Sequence, residues 1–153
     1  MLTSKARYGL KAMATLAKRY GDHRLVPVDD IAAEEKIPIK FLEATLTQLR
    51  KRGLLISRRG PAGGFMLARP PEQISLAEVI RTLDGPFAPT SCSRTRNPVQ
   101  CEGCDDMSLC RIRPVMREVR DAMADLLERR TILDLANGVE MPGDETYVPM
   151  YQI

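Results

Sequence analysis

At 153 residues the chain is long enough for one sizeable core, or for a small domain with appendages. No apolar run approaches the length of a membrane span, and Met1-Leu2-Thr3-Ser4-Lys5-Ala6-Arg7 lacks the apolar stretch of a signal peptide, so a cytoplasmic location without membrane contact is expected. The net charge of +3 is unevenly spread: residues 1–69 hold 14 Lys/Arg against 6 Asp/Glu and residues 70–153 hold 9 against 14, which points to a polyanionic partner for the first half only.

Thr3 or Ser4 is placed to cap a first helix running to about Tyr20, with Tyr8, Ala12, Met13, Leu16, Ala17 and Tyr20 recurring at helical spacing and Gly21-Asp22 closing it. Asp29 and Asp30 suit the start of a short second helix, Ile31 to about Glu35, because acids favour the positive end of the helix dipole. Pro38 is expected in the first turn of a third helix, whose buried stripe is Leu42, Leu46 and Leu49 and which Gly53 ends. Two short helices with a tight joint read as helix-turn-helix. Residues 54–57 and 65–68 are strand-like, and the basic, glycine-rich run between them is a hairpin tip. Helix-turn-helix followed by such a hairpin is the order of a winged helix. Ser75-x-x-Glu78 is a capping box for a helix to about Leu83, which Asp84-Gly85-Pro86 stops.

The polar segment that follows carries cysteines spaced C-x8-C-x2-C-x5-C: Cys92, Cys101, Cys104 and Cys110, the only ones in the chain. In a reducing compartment, such clustering favours metal binding or redox chemistry over structural disulfides. A long helix is expected from about 108 to 130. Ile112, Val115, Val119, Ala122 and Leu126 form a heptad seam on it, widened by Met116, Met123 and Leu127. A seam of that length on a terminal helix predicts pairing across a two-fold axis, and hence a homodimer. The fold class expected is mainly α with a small β-hairpin wing: a winged-helix DNA-binding domain over 1–85, a cysteine-rich sensor loop over 86–107, a dimerisation helix over 108–135 and a flexible tail over 136–153.

The third helix is the expected recognition element, lying in a major groove of double-stranded DNA. With its leucines inward, Ile39, Lys40, Phe41, Glu43, Ala44, Thr45 and Gln48 are expected to face out. Thr45 and Gln48 can hydrogen-bond base edges, Lys40 suits a phosphate or guanine, Phe41 a thymine methyl, and Glu43 can accept from cytosine. At the hairpin tip, Arg58 and Arg59 suit a minor groove, where Gly60 and its neighbouring glycines permit close backbone approach. Ser4, Lys5 and Arg7 are candidates for phosphate contacts. The four thiolates suit an iron–sulfur cluster, [2Fe–2S] or [4Fe–4S], with a zinc site or a reversible disulfide switch as alternatives. Nothing in the chain points to an enzyme: it has no nucleophile beside a base, no carboxylate pair in a pocket pattern, and its glycine-rich run lies between strands rather than before a helix.

The opening segment 2–8 resembles the start of IscR-type regulators of the Rrf2 family. So do Phe41-Leu42-Glu43, Leu49-Arg50-Lys51-Arg52-Gly53-Leu54, Arg59-Gly60-Pro61-Ala62-Gly63-Gly64-Phe65 and Ile74-Ser75-Leu76-Ala77-Glu78-Val79-Ile80. The resemblance spans about residues 1–135. It implies a dimeric winged-helix transcription factor acting on a palindromic operator, with an iron–sulfur cluster that reports iron, redox or nitric oxide status. The cysteine loop departs from the family pattern. Cys92 fits the first cysteine position and Cys104-x5-Cys110 the last pair, but the gap from Cys92 is long and Cys101 is an addition. Arg113 stands where the IscR type has a ligating histidine, and Tyr8 stands near the place of an acidic ligand in other relatives. The resemblance therefore leaves Cys101 as the residue able to complete a four-thiolate set.

Overall fold

The computed structural model describes residues 2–138. Thr3 decides where the first helix begins. Its hydroxyl accepts the Ala6 N–H at 3.2 Å and caps α1 (Ser4–Lys18), while its own N–H donates to the Asp84 carboxylate at 2.9 Å. The helix ends before Tyr20, because Arg19 leaves helical geometry and a 3-10 turn, Tyr20–Asp22, takes over.

α2 (Val28–Glu35) begins at Val28 rather than Ile31, so Asp29 and Asp30 lie inside its first turn, next to the unpaired N–H groups of that end. In α3 (Ile39–Lys51), Pro38 precedes the helix instead of sitting in its first turn: its ψ of 125° is extended, and its carbonyl accepts the Leu42 N–H at 3.0 Å. Leu42, Leu46 and Leu49 are fully buried, as their spacing predicts. Gly53, at φ 77°, turns the chain into β1 (Leu55–Arg58), which pairs antiparallel with β2 (Gly64–Leu67). Two 2.9 Å hydrogen bonds between Val26 and Phe65 tie this wing to the segment before α2. The approach is close: a Cβ at Gly64 would stand 2.3 Å from the Val26 carbonyl oxygen.

Ser75 caps α4 (Leu76–Asp84) through the Glu78 N–H at 3.2 Å. The long helix is shorter than expected and is followed by another. α5 (Ile112–Arg129) stops because Arg130 is extended, and the Thr131–Asp134 capping box restarts the chain as α6 (Ile132–Asn137). Hydrogen bonds from Leu76 N–H to the Arg130 carbonyl (2.8 Å) and from Ile132 N–H to the Ile74 carbonyl (2.9 Å) return α6 to the first domain. Ile132 is buried there in the same core as Met13, Leu16, Ile31, Leu46, Leu54, Leu67, Ile74 and Val79. Of the tail expected over 136–153, Ala136 and Asn137 belong to α6 and the stretch beyond Gly138 lies outside the described residues. The architecture is mostly helical with one two-stranded hairpin, a winged helix carrying a long projecting helix. No helix among the described residues is long and apolar enough to cross a membrane.

Leu46 is fully enclosed, so Leu46→Ala is expected to lower unfolding free energy in urea by roughly 2–5 kcal/mol. Lys40→Ala, on the exposed face of the same helix, should change it by less than about 0.5 kcal/mol.

Candidate DNA interface and cysteine site

On α3, Lys40, Glu43 and Ala44 are exposed, and Ile39 and Phe41 are 45% and 41% exposed. Phe41 does not stand free: its ring meets Tyr8 of α1 edge to face, centroids 5.5 Å apart. Two expectations for this helix are corrected. Thr45 does not face out. It is 1% exposed, and its hydroxyl donates to the Phe41 carbonyl at 2.9 Å, because the apolar stripe is wide enough to take it inside. Gln48 is half-buried and donates its side-chain amide to the Thr82 carbonyl at 2.7 Å, joining α3 to the end of α4. Sequence reasoning passed over the exposed cations at the other end of α3, Arg50, Lys51 and Arg52. Their signal was the basic run before Gly53, read there as a helix end.

The wing exposes Arg58, Arg59 and Gly60 at its tip. The tip is a tight turn closed by Gly63 N–H on the Gly60 carbonyl at 2.8 Å, with Gly60 at φ 106°. At the start of α1, Ser4 and Arg7 are exposed and joined by a 3.0 Å hydrogen bond from the guanidinium to the hydroxyl, while Lys5 is half-buried. Apart from Thr45 and the committed amide of Gln48, the expected contact residues thus stand at the surface.

The four cysteines line one open concavity of about 580 Å³, together with Thr90, Arg113 and residues 101–106. Cys92, buried on the 3-10 turn Ser91–Ser93, has its thiol 3.3 Å from the Thr90 hydroxyl, and the Cys104 thiol donates to the Asp106 carbonyl at 3.6 Å. The Ser91 hydroxyl, 3.4 Å away, is the main influence holding the Cys101 thiol below its ordinary pKa, helped by the Cys92 N–H and thiol. Cys104 is pushed up, by desolvation first and then by the charge and thiol of Cys110. Thiolates so close oppose one another's ionisation, and a bound cation is what lets a whole set ionise together. Among the described residues, no three His, Cys, Asp or Glu side chains come close enough together to hold a single ion. Four thiols and, among the described residues, no histidine line the concavity, a donor set that fits an all-thiolate centre.

Two arginines of α5 hold this segment. Arg113 donates from Nε to the Cys92 carbonyl (3.1 Å) and from its terminal nitrogen to the Met107 carbonyl (3.5 Å). Arg120 donates to the Ser93 carbonyl at 2.5 Å. The apolar seam on α5 faces the other way: Ile112, Val115, Val119, Met123 and Leu126 are 64%, 52%, 40%, 41% and 51% exposed, and Ala122 is exposed too. Met116 and Leu127, expected to widen that seam, are half-buried on the domain-facing side with Arg113, Arg120 and Ala124.

The Rrf2 family model, described as an iron-dependent transcriptional regulator, matches residues 2–138. An Rrf2-like helix-turn-helix transcriptional regulator of Rhodobacter capsulatus is 36% identical over 137 residues, covering 88% of this chain and 91% of that one. The regulator IscR of Pectobacterium carotovorum is 33% identical over 140 residues, covering 92% and 81%. The solved structure of CymR, the global cysteine regulator of B. subtilis, superposes with a TM-score of 0.71 at 31% identity, covering 90% of this chain and 96% of that one.

The opposite directions of the two thiol shifts give a test. In the reduced, metal-free protein, mapping of iodoacetamide adducts by mass spectrometry should find Cys101 modified before Cys104, with the Cys101 rate rising at the lower pH. Equal rates and superimposable pH profiles would contradict the hydrogen-bonding described.

Proposed function

The chain belongs to the Rrf2 family of transcriptional regulators, and from that premise we propose a homodimeric DNA-binding repressor governed by an iron–sulfur centre on Cys92, Cys101, Cys104 and Cys110. The observation that carries this reading is the placing of four thiols on one concavity at the start of α5, with an uncovered apolar seam running along the same helix. Ile112 belongs to both: it lines the concavity and opens the seam. Four thiols and no histidine around the concavity support an iron–sulfur centre, [2Fe–2S] or [4Fe–4S], held by cysteines alone. When bound, the centre supplies sensitivity to iron supply, oxidants or nitric oxide, as the resemblance to IscR-type regulators implies. The chain's own residues do the rest. Held together, the four sulfurs fix the course of residues 92–110. Released, that segment keeps Arg113 and Arg120 as its anchors on α5.

Two copies joined along Ile112, Val115, Val119, Ala122, Met123 and Leu126 bury apolar surface that a lone chain leaves in water. Two-fold symmetry then presents two α3 helices and two wings to a palindromic operator. Lys40, Phe41 and Glu43 meet base edges, Arg58 and Arg59 enter a minor groove beside Gly60, and Ser4, Lys5 and Arg7 hold phosphates. The gathering of four free thiols on one concavity also favours a second reading, in which they close as reversible disulfides and no centre is carried.

Anaerobic purification followed by assay of iron, acid-labile sulfide, zinc and the visible spectrum decides between these. Iron and sulfide in equal amounts are expected, and a colourless protein would overturn the cluster reading. Arg59→Glu should abolish binding to a palindromic promoter fragment, and unchanged affinity would remove the wing from the DNA interface. Val119→Glu should sediment as a monomer, because it sets two carboxylates against each other in a buried seam, whereas a persistent dimer would place the interface elsewhere.

A further inference from the structure

Arg120 is the one residue of α5 among those described that is buried, at 8% exposure. A helix ordinarily docks by apolar side chains, and a guanidinium is taken from water only where its donors are satisfied. Its partners here are unusual: the Ser93 carbonyl at 2.5 Å and, on the solvent side, the Asp121 carboxylate at 2.6–2.8 Å. Seven residues earlier, two turns along the same stripe, Arg113 reaches the Cys92 carbonyl at 3.1 Å. The two arginines therefore grip successive carbonyls of one 3-10 turn, and that turn carries a cysteine of the candidate site. The Cys92 thiol lies 3.3 Å from the Thr90 hydroxyl, and the Cys92 carbonyl accepts from Arg113.

We propose that Arg113 and Arg120 are positioning residues that transmit the state of the cysteine site to the dimer seam, by holding the Cys92 and Ser93 carbonyls against the domain-facing side of α5. The proposal rests on the cysteine site being regulatory, the reading given above. Hydrogen bonds to carbonyls are directional and weaken steeply as the angle at the donor falls toward 120°. A rotation of the 92–93 peptides, such as a change in what the Cys92 sulfur binds would impose, removes the acceptor from a buried guanidinium. Leaving it unpaired is unfavourable, so the helix follows the turn. Val119 precedes Arg120 in the chain and Ala122 and Met123 follow closely, so a shift at Arg120 is a shift of the seam. Apolar contacts alone would let the turn slide, whereas two fixed donor–acceptor pairs do not.

The test uses the full-length protein, anaerobically purified, in its loaded state and in its reduced metal-free state, with promoter affinity measured in each. Wild type should show a state-dependent affinity ratio, typically on the order of 5- to 150-fold for coupled sites. Arg120→Met, Arg113→Met and the double variant should bring the ratio close to one, while sedimentation still shows dimers and metal-free affinity stays at the wild-type value. In the metal-free state, where no centre contributes, each variant should also speed alkylation of Cys92 and amide exchange across residues 91–93. Variants that keep the wild-type ratio and the wild-type Cys92 protection would overturn the proposal and leave the regulatory reading standing. A wild type whose affinity is the same in both states would overturn both. Should Arg120→Met fail to fold, Arg113→Met carries the same measurements, since its side chain is only half-buried.

Discussion

The molecule is organised by the burial of one helix on several sides at once. α1 presents Ala6, Gly9, Ala12, Met13, Leu16 and Ala17 to the interior, so α3, α4 and α6 can all close on it. The small residues set the distances. At Gly9 a Cβ would stand 2.3 Å from a methyl of Leu83, so α4 lies as near as a hydrogen-only side chain allows. The carboxylate of Asp84, at the far end of α4, accepts the N–H and hydroxyl of Thr3 and so ties the start of one helix to the end of the other. With this packing in place, the outer face of α3 and the wing become parts of a single surface. The half-buried Tyr8 supports Phe41, the Thr82 carbonyl takes Gln48, and Val26 pins the wing through Phe65.

α5 obeys a different rule. Its most exposed apolar side chains point away from its own domain, Met116 and Leu127 are only half-buried on the inner side, and its deepest attachment inward is a charge. Hydrophobic packing is tolerant of sliding, and a helix held only that way would adjust to many positions. Arginine forks on carbonyls accept few positions, because the planar donors must meet their lone pairs. Salt-bridge contacts such as Arg81 with Glu128 lie nearer solvent and add less. The cysteine segment and the long helix are therefore joined by directional bonds, and the helix leaves its apolar seam exposed.

Several features were legible in the chain because they depend on neighbours in sequence. The leucine stripe of α3, the Ser75 capping box, the hairpin with its glycine tip and the amphipathic pattern of α5 all follow from periodicity and local hydrogen bonding. Other features depended on what lies across the fold. Thr45 reads as a polar outward residue by spacing, yet the stripe beside it is wide enough to enclose it once its hydroxyl finds the Phe41 carbonyl. Met116 and Leu127 read as part of the seam, because a heptad template cannot tell which of two flanks meets the chain's own domain. The continuous helix expected past Arg130 gives way to α6 because the Ser75 and Thr131 segments pair, a contact between residues far apart in sequence.

The sequence by itself determined the order of the main elements through α5, the family, and the chemistry on offer: a basic winged helix, four thiols in one loop and a seam at the far end. These are local or compositional properties, which the chain carries whether folded or not. Only the tertiary structure decided that the four thiols share one concavity, that the Cys101 pKa is lowered while that of Cys104 is raised, and that Arg113 holds a carbonyl. Those outcomes depend on distances between atoms separated by many residues, and such distances exist only once α5 has docked and brought the Ser91–Ser93 turn against it.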